Sequence, residues 1–386
     1  MQRRLFLRIA GGGVVVAATA GGLAACSSAL PPEAIAAWQG PGNERDPRRW
    51  VLAHAILAPH SHNLQSWLVD LREPDAITLF IDRSRLLPET DPFSRQMMMS
   101  QGTFLELLDL AARQRGLRAE ITLFPQGAFG PQALDARPTA HIRLRPDASL
   151  RPDPLFAAVF QRHTNREAYE AREPDPAALP AIAASLAPHA VRAGFVGAAQ
   201  AEALTQHRRI AMEAWRIELE TPRTMLESLR VLRIGPKEIA EHRDGLSLND
   251  PLVRALTAVG LFDRSRAPAP GDAAITRQIE DFNAKIAATP AFFWMLTQGN
   301  DRATQVNAGR AYVRAQLAAT AAGLSMHPLQ QALQEYPEQA GPYAEIHRLL
   351  GASSTGQTVQ MWTRLGYAPA VGPAPRRGLD AHILPT

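Results

Sequence analysis

Apolar residues recur at helical spacing in five stretches of the chain. Residues 51–57 read as a helix that ends near Pro59, because proline cannot continue the backbone hydrogen-bond ladder. Residues 102–115 place Phe104, Leu105, Leu107, Leu108 and Ala111 on one face, and Gly116 stops that helix. Residues 154–161, 203–219 and 303–322 carry the same period, and Gly323 stops the last of them. Period-2 alternation or dense β-branched and aromatic content predicts strands at 76–82, 120–124, 141–144 and 291–297. The order helix, strand, helix, strand appears once in each half, which predicts an α+β fold. Residues 222–275 are rich in Pro, Gly and charge with weak periodicity, as expected of a covering insertion or lid.

The N-terminal pattern differs from the rest. Arg3, Arg4 and Arg8 precede an uncharged run from Ile9 to Ala25, too short and too glycine-rich for a membrane span of about 20 residues. A basic head followed by small apolar residues is an export signal, and Arg3-Arg4-x-Phe6-Leu7-Arg8 resembles a twin-arginine signal. Leu23-Ala24-Ala25-Cys26 resembles a lipobox, with Cys26 as the lipidated residue; a simple secretory signal is the plainer alternative. The expected organisation is a signal over 1–25, a tether over 26–46, a first half over 47–152 and a second half over 153–386 that carries the 222–275 lid. The expected location is periplasmic, with a lipid anchor in the membrane and the twin-arginine export machinery as a partner.

Composition narrows the chemistry. Of the net charge of +4, three units come from Arg3, Arg4 and Arg8, which leaves no concentrated basic surface for nucleic acid. Only Lys237 and Lys285 are lysines, and neither follows a glycine or a Ser-x-x spacing, so phosphate-loop and Ser-x-x-Lys chemistries are absent. A single cysteine excludes an internal disulfide and thiolate-bound clusters.

Three motifs remain. The first is Ala58-Pro59-His60-Ser61-His62-Asn63-Leu64-Gln65-Ser66-Trp67. The second is Arg162-x-Thr164-x-Arg166, whose guanidinium forks and hydroxyl suit a phosphate monoester, although such a segment is commonly plain solvated surface. The third is Pro375-Arg376-Arg377. With Asp91-Pro92-Phe93-Ser94-Arg95, Tyr169, Trp215, Thr221-Pro222, the 323–331 segment and Gln334-Glu335-Tyr336-Pro337, they resemble the nitroreductase-like flavoproteins, in particular the Acg family of FMN-binding oxidoreductases.

That resemblance implies two related halves in one chain, a pseudo-dimer with mixed or antiparallel sheets flanked by helices and one FMN site between them. It implies that Arg162, Thr164 and Arg166 hold the FMN phosphate, with Arg376 or Arg377 in support. Pro59, His60, Ser61 and Asn63 would line the ring, and Gln330 and Gln331 would approach it through their backbone. NAD(P)H is the implied donor, and a nitro-aromatic, a quinone or a similar small molecule the acceptor. No catalytic acid, base or nucleophile is required of the protein, since a flavin itself carries hydride chemistry. The alternative is a lipoprotein that binds or sequesters FMN without turnover.

Plainer readings attach to other residues. His60 and His62 form an H-x-H without a third ligand at metal-like spacing, so no metal is expected. His327 and His347 read as structural, Met97–Met99 as core or lid contacts, and residues 351–356 as a turn.

Overall fold

The computed structural model describes residues 29–269, 271–352 and 356–385. The expected export signal and Cys26 lie outside the described residues, as do 353–355 of the expected turn.

The first half opens with α1 (Pro32–Ile35) and α2 (Pro47–Ala55). Asp46 starts α2 by accepting from the Arg48 N–H, while Pro47 sits where its missing N–H costs nothing. Strands β1 (Trp67–Asp70) and β2 (Ala76–Ile81) follow, then the long helix α3 (Arg95–Gln114), β3 (Leu117–Leu123) and β4 (Ala140–Pro146). They form an antiparallel sheet in the order β1-β2-β4-β3.

The second half runs from α4 (Ala178–Ala184) to β5 (Arg192–Val196). After it come α5 (Ala201–Glu220), α6 (Pro222–Arg230), β6 (Leu232–Ile234), α7 (Gly235–His242), β7 (Leu246–Leu248), α8 (Pro251–Ala258) and α9 (Ala273–Ala287). The half closes with β8 (Ala291–Gln298), α10 (Arg302–Ala321), β9 (Ser325–Pro328), α11 (Ala340–Leu349) and β10 (Gln357–Gly366). Its sheet, ordered β5-β8-β10-β9, is again antiparallel. The two sheets therefore share one topology. Residues 197–290 stand where the first half needs only 71–75 to turn from β1 to β2. They gather a small core of their own around Met225, Ile234, Leu248, Val253 and Ile275.

The halves join through α3 and α10, each 20 residues long and each beginning with arginine. A glycine stands eighth in both, Gly102 and Gly309, and a left-handed glycine, Gly116 or Gly323, follows both helices. A Cβ on Gly102 would lie 1.9 Å from the Val306 carbonyl oxygen, and one on Gly309 would lie 1.9 Å from that of Met99. The contact is reciprocal, because Met99 and Val306 occupy equivalent positions of the two helices. Only glycine permits this backbone approach. The first arginines repeat the exchange: Arg95 donates to Leu333 O at 2.7 Å and Gln360 O at 3.0 Å, and Arg302 to Phe93 O at 2.7 Å and Pro131 O at 3.0 Å. Each core also borrows from the other half's helix: Val306, Val313 and Leu317 pack with Trp67, Phe104 and Ile77, and Met99 with Phe293 and Tyr312.

The α+β class and the paired halves are as expected, and several elements differ. Helix α3 starts seven residues earlier than its pattern suggests, because the Asp91 carboxylate accepts from the Gln96 and Met97 N–H groups and nucleates the first turn. Residues 154–161 give only a 3-10 turn, Pro154–Ala158. Strand β10 escaped the pattern because it is covered on both faces. Its Gln360, Thr363 and Arg364 are as buried as its Trp362, so no alternation shows.

Candidate functional site

The end of α2 leaves carbonyls without helical partners, and two distant arginines supply donors. Arg162 donates to Leu57 O at 3.0 Å, and Arg376 to Ala58 O at 3.0 Å and Leu57 O at 3.3 Å. Both guanidiniums stand over the Trp38 ring, 5.7 and 5.4 Å from its centroid. The next residues turn sharply: His62, Asn63 and Gln65 all hold positive φ, between 48° and 55°. Three such side-chain-bearing residues within four positions are strained backbone, held only by strong surroundings.

Those surroundings come from segments distant in the chain. Asn63 accepts from the Arg376 guanidinium and donates to Pro375 O at 3.0 Å and Gly245 O at 3.3 Å. Gln65 donates to Arg243 O at 2.9 Å and accepts from the Arg377 N–H at 2.9 Å, while the Arg377 guanidinium caps Gln65 O. Pro59 O accepts from Thr103 Oγ1 at 2.7 Å, and the Ser61 N–H donates to Ser100 Oγ at 3.3 Å. His60 Nδ1 lies 2.7 Å from Ser61 O, so that nitrogen carries the proton; Nε2 then accepts from the Ser66 hydroxyl and N–H. Burial pushes the His60 pKa down to about 3 and, with help from Arg166, that of His62 to about 4, so both rings are neutral.

Residues 162–166 face this loop. Thr164 bridges Met326 in parallel, and the Asn165 N–H donates to Met326 O at 3.2 Å. The segment is therefore extended, which sends alternate side chains to one side. Arg162 is 2% exposed and donates to Gln316 Oε1 at 3.2 Å, and Gln316 in turn approaches Thr164 Oγ1 at 3.4 Å. Arg166 is half-buried and has no hydrogen bond or carboxylate on its guanidinium among the described residues. Its electrostatic neighbours are Tyr312, Tyr169, His62, His327, Arg364 and Lys285. Burial lowers the pKa of Arg166, and that of Arg162 to about 10 and Arg376 to about 9.

The region thus gathers cations faster than acids. Arg162, Arg166, Arg364, Arg376 and Lys285 are set against Glu167, which lies 3.9 Å from Lys285 Nζ. Donor capacity is left over: among the described residues, Arg162 Nε, Arg376 Nε and Arg364 Nη1 are buried without hydrogen-bond partners, and so is the Tyr312 hydroxyl. Such a donor set fits a phosphate dianion.

The structure brings Pro59, His60, Ser61, Asn63, Arg162, Thr164, Arg166, Arg376 and Arg377 into one neighbourhood. Arg376 and Arg377 hold the loop as much as they charge it. Gln330 donates to Gln360 O at 3.4 Å, with its own Oε1 unpartnered among the described residues. The Gln331 side chain instead reaches Glu218 on α5. The sequence reading missed Trp38, Gln316, Tyr312 and Arg364. Tyr312 and Gln316, four apart on α10, share a helix face, and that spacing was the available signal. His327, read as structural, accepts from Arg364 Nε at 3.1 Å beside the cluster.

No family model matches the chain. It is 28% identical over 347 residues to the Mycobacterium tuberculosis H37Rv protein named "Putative NAD(P)H nitroreductase Rv3131", covering 87% of this chain and 90% of that one. A shorter match, 31% identical over 123 residues, is to the uncharacterized protein Rv3127 of the same strain and covers 30% of this chain and 35% of that one. Among solved structures, the FMN and NADPH-dependent nitroreductase NfnB of Sphigopyxis sp. strain HMH is 18% identical with a TM-score of 0.37, over 61% of this chain and 99% of that one. Iodotyrosine deiodinase bound to FMN and 3-iodo-L-tyrosine is 14% identical with a TM-score of 0.35, over 58% and 95%.

Proposed function

We propose that this protein is an FMN-binding, nitroreductase-like oxidoreductase that accepts hydride from NAD(P)H and delivers it to a nitro-aromatic, quinone or similar small acceptor. The observation that carries the proposal is Arg166. It stands beside Arg162 and Thr164 with free donors, in an acid-poor cluster that faces the 59–63 loop. The name of the Mycobacterium tuberculosis relative, matched over most of both chains, supports the same reading.

When bound, FMN supplies the hydride chemistry. The chain's part is to bind and orient. Arg166, Arg162 and Thr164 hold the phosphate, with Arg376 and Arg377 fixing the loop behind it. Pro59, His60, Ser61 and Asn63 form the wall for the ring from the other half. Neutral His60 and His62 add no positive charge to this wall. Residues 243–245 and Ser228 cover the loop, Ser228 Oγ lying 3.4 Å from His62 Nε2. They exclude water from the same face.

The halves 47–152 and 153–386 are proposed as the two units of a pseudo-dimer, with 222–275 as its lid. Export by the twin-arginine route, lipidation at Cys26 and a periplasmic, membrane-anchored location belong to the same proposal. Fractionation checks it, since Cys26→Ser then moves the protein from membranes to the soluble fraction.

The lid contacts on His62 and Asn63 favour one other reading, a flavin carrier without turnover. Steady-state NAD(P)H oxidation by FMN-loaded protein with a nitro-aromatic acceptor separates the two. Acceptor-dependent turnover supports the enzyme, and bound flavin without turnover leaves the carrier.

A further inference from the structure

Helix α8 ends in an apolar tip that the fold leaves uncovered. Val259 and Leu261 are 68% and 74% exposed, far more than any other large apolar residue among the described ones. They flank Gly260, whose φ of 72° stops the helix. The Leu261 N–H donates to Leu256 O at 2.8 Å and the Gly260 N–H to Thr257 O at 3.1 Å. In such a helix end the residue after the glycine commonly folds its apolar side chain back onto the last turn. Here Leu261 stays outside, and Phe262 packs against the small core of residues 219–275 instead. The tip is held in place from the other end of α8. Asp250 caps it by accepting from the Leu252 and Val253 N–H groups at 2.9 and 3.0 Å, and Val253 is buried in the same core.

The N-terminal segment joins the fold beside this helix. Asn249 Nδ2, one residue before the cap, donates to Ala29 O at 2.8 Å, and α1 packs on α7. From Ala29 onward the segment expected as a tether lies against the rest of the protein: Ala34 O accepts from the Arg376 N–H at 2.8 Å, and Trp38 Nε1 donates to Ala374 O at 2.8 Å. Only Ser27 and Ser28 stand between Ala29 and Cys26. Three residues reach at most about 11 Å, so a lipid on Cys26 holds the start of α8 close to the bilayer surface. The helix has eight residues, a length of about 12 Å, which keeps its tip within reach of that surface.

Charge favours the same partner. Residues 251–266 carry Arg254, Arg264 and Arg266 against Asp263 alone. Arg264 pairs with Glu238 at 2.9 Å, while Arg254 and Arg266 make no ion pair among the described residues, Asp263 acting on Arg266 only at longer range. Apolar side chains beside uncommitted arginines fit an anionic lipid surface, where the former enter the acyl boundary and the latter meet phosphate headgroups. A second copy fits less well, since a two-fold contact through this tip brings the same arginines together. No helix among the described residues is long and apolar enough to cross a membrane, so the contact is a peripheral one.

We infer that Val259 and Leu261, with Arg254 and Arg266, form a second membrane contact that lays the 222–275 face on the bilayer. The inference rests on the proposed lipidation of Cys26. Two apolar side chains orient a lipidated protein and do not hold it alone.

A fluorescent probe at the tip tests this in the full lipidated protein. Cys26 is the only cysteine, so an introduced thiol is unique once the native one carries lipid. Leu261→Cys, Val259→Cys and Ala148→Cys, the last at an exposed position after β4, are labelled with nitrobenzoxadiazole. Each is reconstituted in phosphatidylethanolamine and phosphatidylglycerol vesicles, with and without lipid spin-labelled on the acyl chain. The quencher should lower emission about twofold or more at 261 and 259 and by less than about a tenth at 148. If Leu261→Cys does not fold, Val259→Cys carries the reading. The same response at every position, in protein that stays with the vesicles, overturns the inference and leaves the anchor. A mass without acyl chains on Cys26 overturns the anchor and the inference with it. Blue-shifted emission at the tip without quenching, with a doubled mass in detergent, assigns the patch to a second copy and also overturns it.

Discussion

Arg162 and Leu57 are 105 residues apart in the chain, yet the Arg162 guanidinium donates to the Leu57 carbonyl at 3.0 Å. The contact ties the clamp segment of one half to the helix end of the other. It also separates two arginines that look alike in sequence, since the Arg162 guanidinium is engaged by protein and that of Arg166 has no hydrogen bond among the described residues.

Arg162→Ala therefore lowers stability even without ligand. Removing a buried charged donor from Leu57 O and Gln316 costs about 1.5–3 kcal/mol. Urea unfolding of the flavin-free protein reads this loss, and an unchanged midpoint would mean that the contact is dispensable.

Gly102→Ala strikes the crossing of α3 and α10. Its new Cβ meets a backbone oxygen at 1.9 Å, and a backbone cannot rotate away as a side chain can. The expected cost is about 3 kcal/mol, the upper end for overpacking. Gly323→Ala, whose Cβ meets open space, provides the comparison at a position strained only by its positive φ. Thermal melts should place Gly102→Ala clearly below it.

Buried histidines make stability pH-dependent. Burial lowers His60 and His382 to about 3, and His62, His163 and His207 to about 4. The unfolded chain takes up protons near pH 6.5 that the folded chain refuses, so this contribution is complete above pH 6.5 and is lost as pH falls toward 4. Glu218 and Asp91, pushed up by burial to about 7 and about 6, act oppositely: their contribution is present below about pH 4 and is lost as pH rises through those values. Five histidines outweigh two carboxyls. Unfolding free energy should fall by several kcal/mol between pH 6.5 and 4.5, and denaturant titrations at fixed ionic strength check the sign.

The proposed lid gives a kinetic prediction. The Glu227 carboxylate on α6 accepts from the Glu89 and Thr90 N–H groups, both at 2.9 Å, and from Thr90 Oγ1 at 2.6 Å. Glu227→Ala loosens that attachment without touching the basic cluster. Acceptor kcat/KM should rise several-fold for a bulky nitro-aromatic while flavin content stays constant. A fall in both would show that the covering segment builds the site.

Periodicity located the helices and strands whose faces divide clearly between core and solvent, such as 76–82 and 203–219. It failed at β10, where polar Gln360, Thr363 and Arg364 are buried by the second layer, and at 154–161, which forms only a 3-10 turn. The Pro59–Asn63, Arg162–Arg166 and Arg376 segments were legible through their residue types. Their meeting was expected only through the family resemblance; residue types and spacing by themselves do not show it, because it depends on helix-end carbonyls far away in the chain. The shared arginine and glycine positions of α3 and α10 were present in the sequence but obscured by the unequal insertion between β5 and β8.

The central claim is that the Arg166 guanidinium, without a hydrogen-bond partner among the described residues, is kept for the phosphate of a flavin mononucleotide. Titration of flavin-free protein with FMN, followed by the visible spectrum, tests it most directly when wild type and Arg166→Ala are compared. The expected result is saturable binding by wild type and affinity weakened roughly 10- to 150-fold in the variant, the loss of one charge-assisted contact of about 1.5–3 kcal/mol, with an unchanged unfolding midpoint in the absence of flavin. Equal affinity in the two proteins, or no binding by wild type, would contradict it.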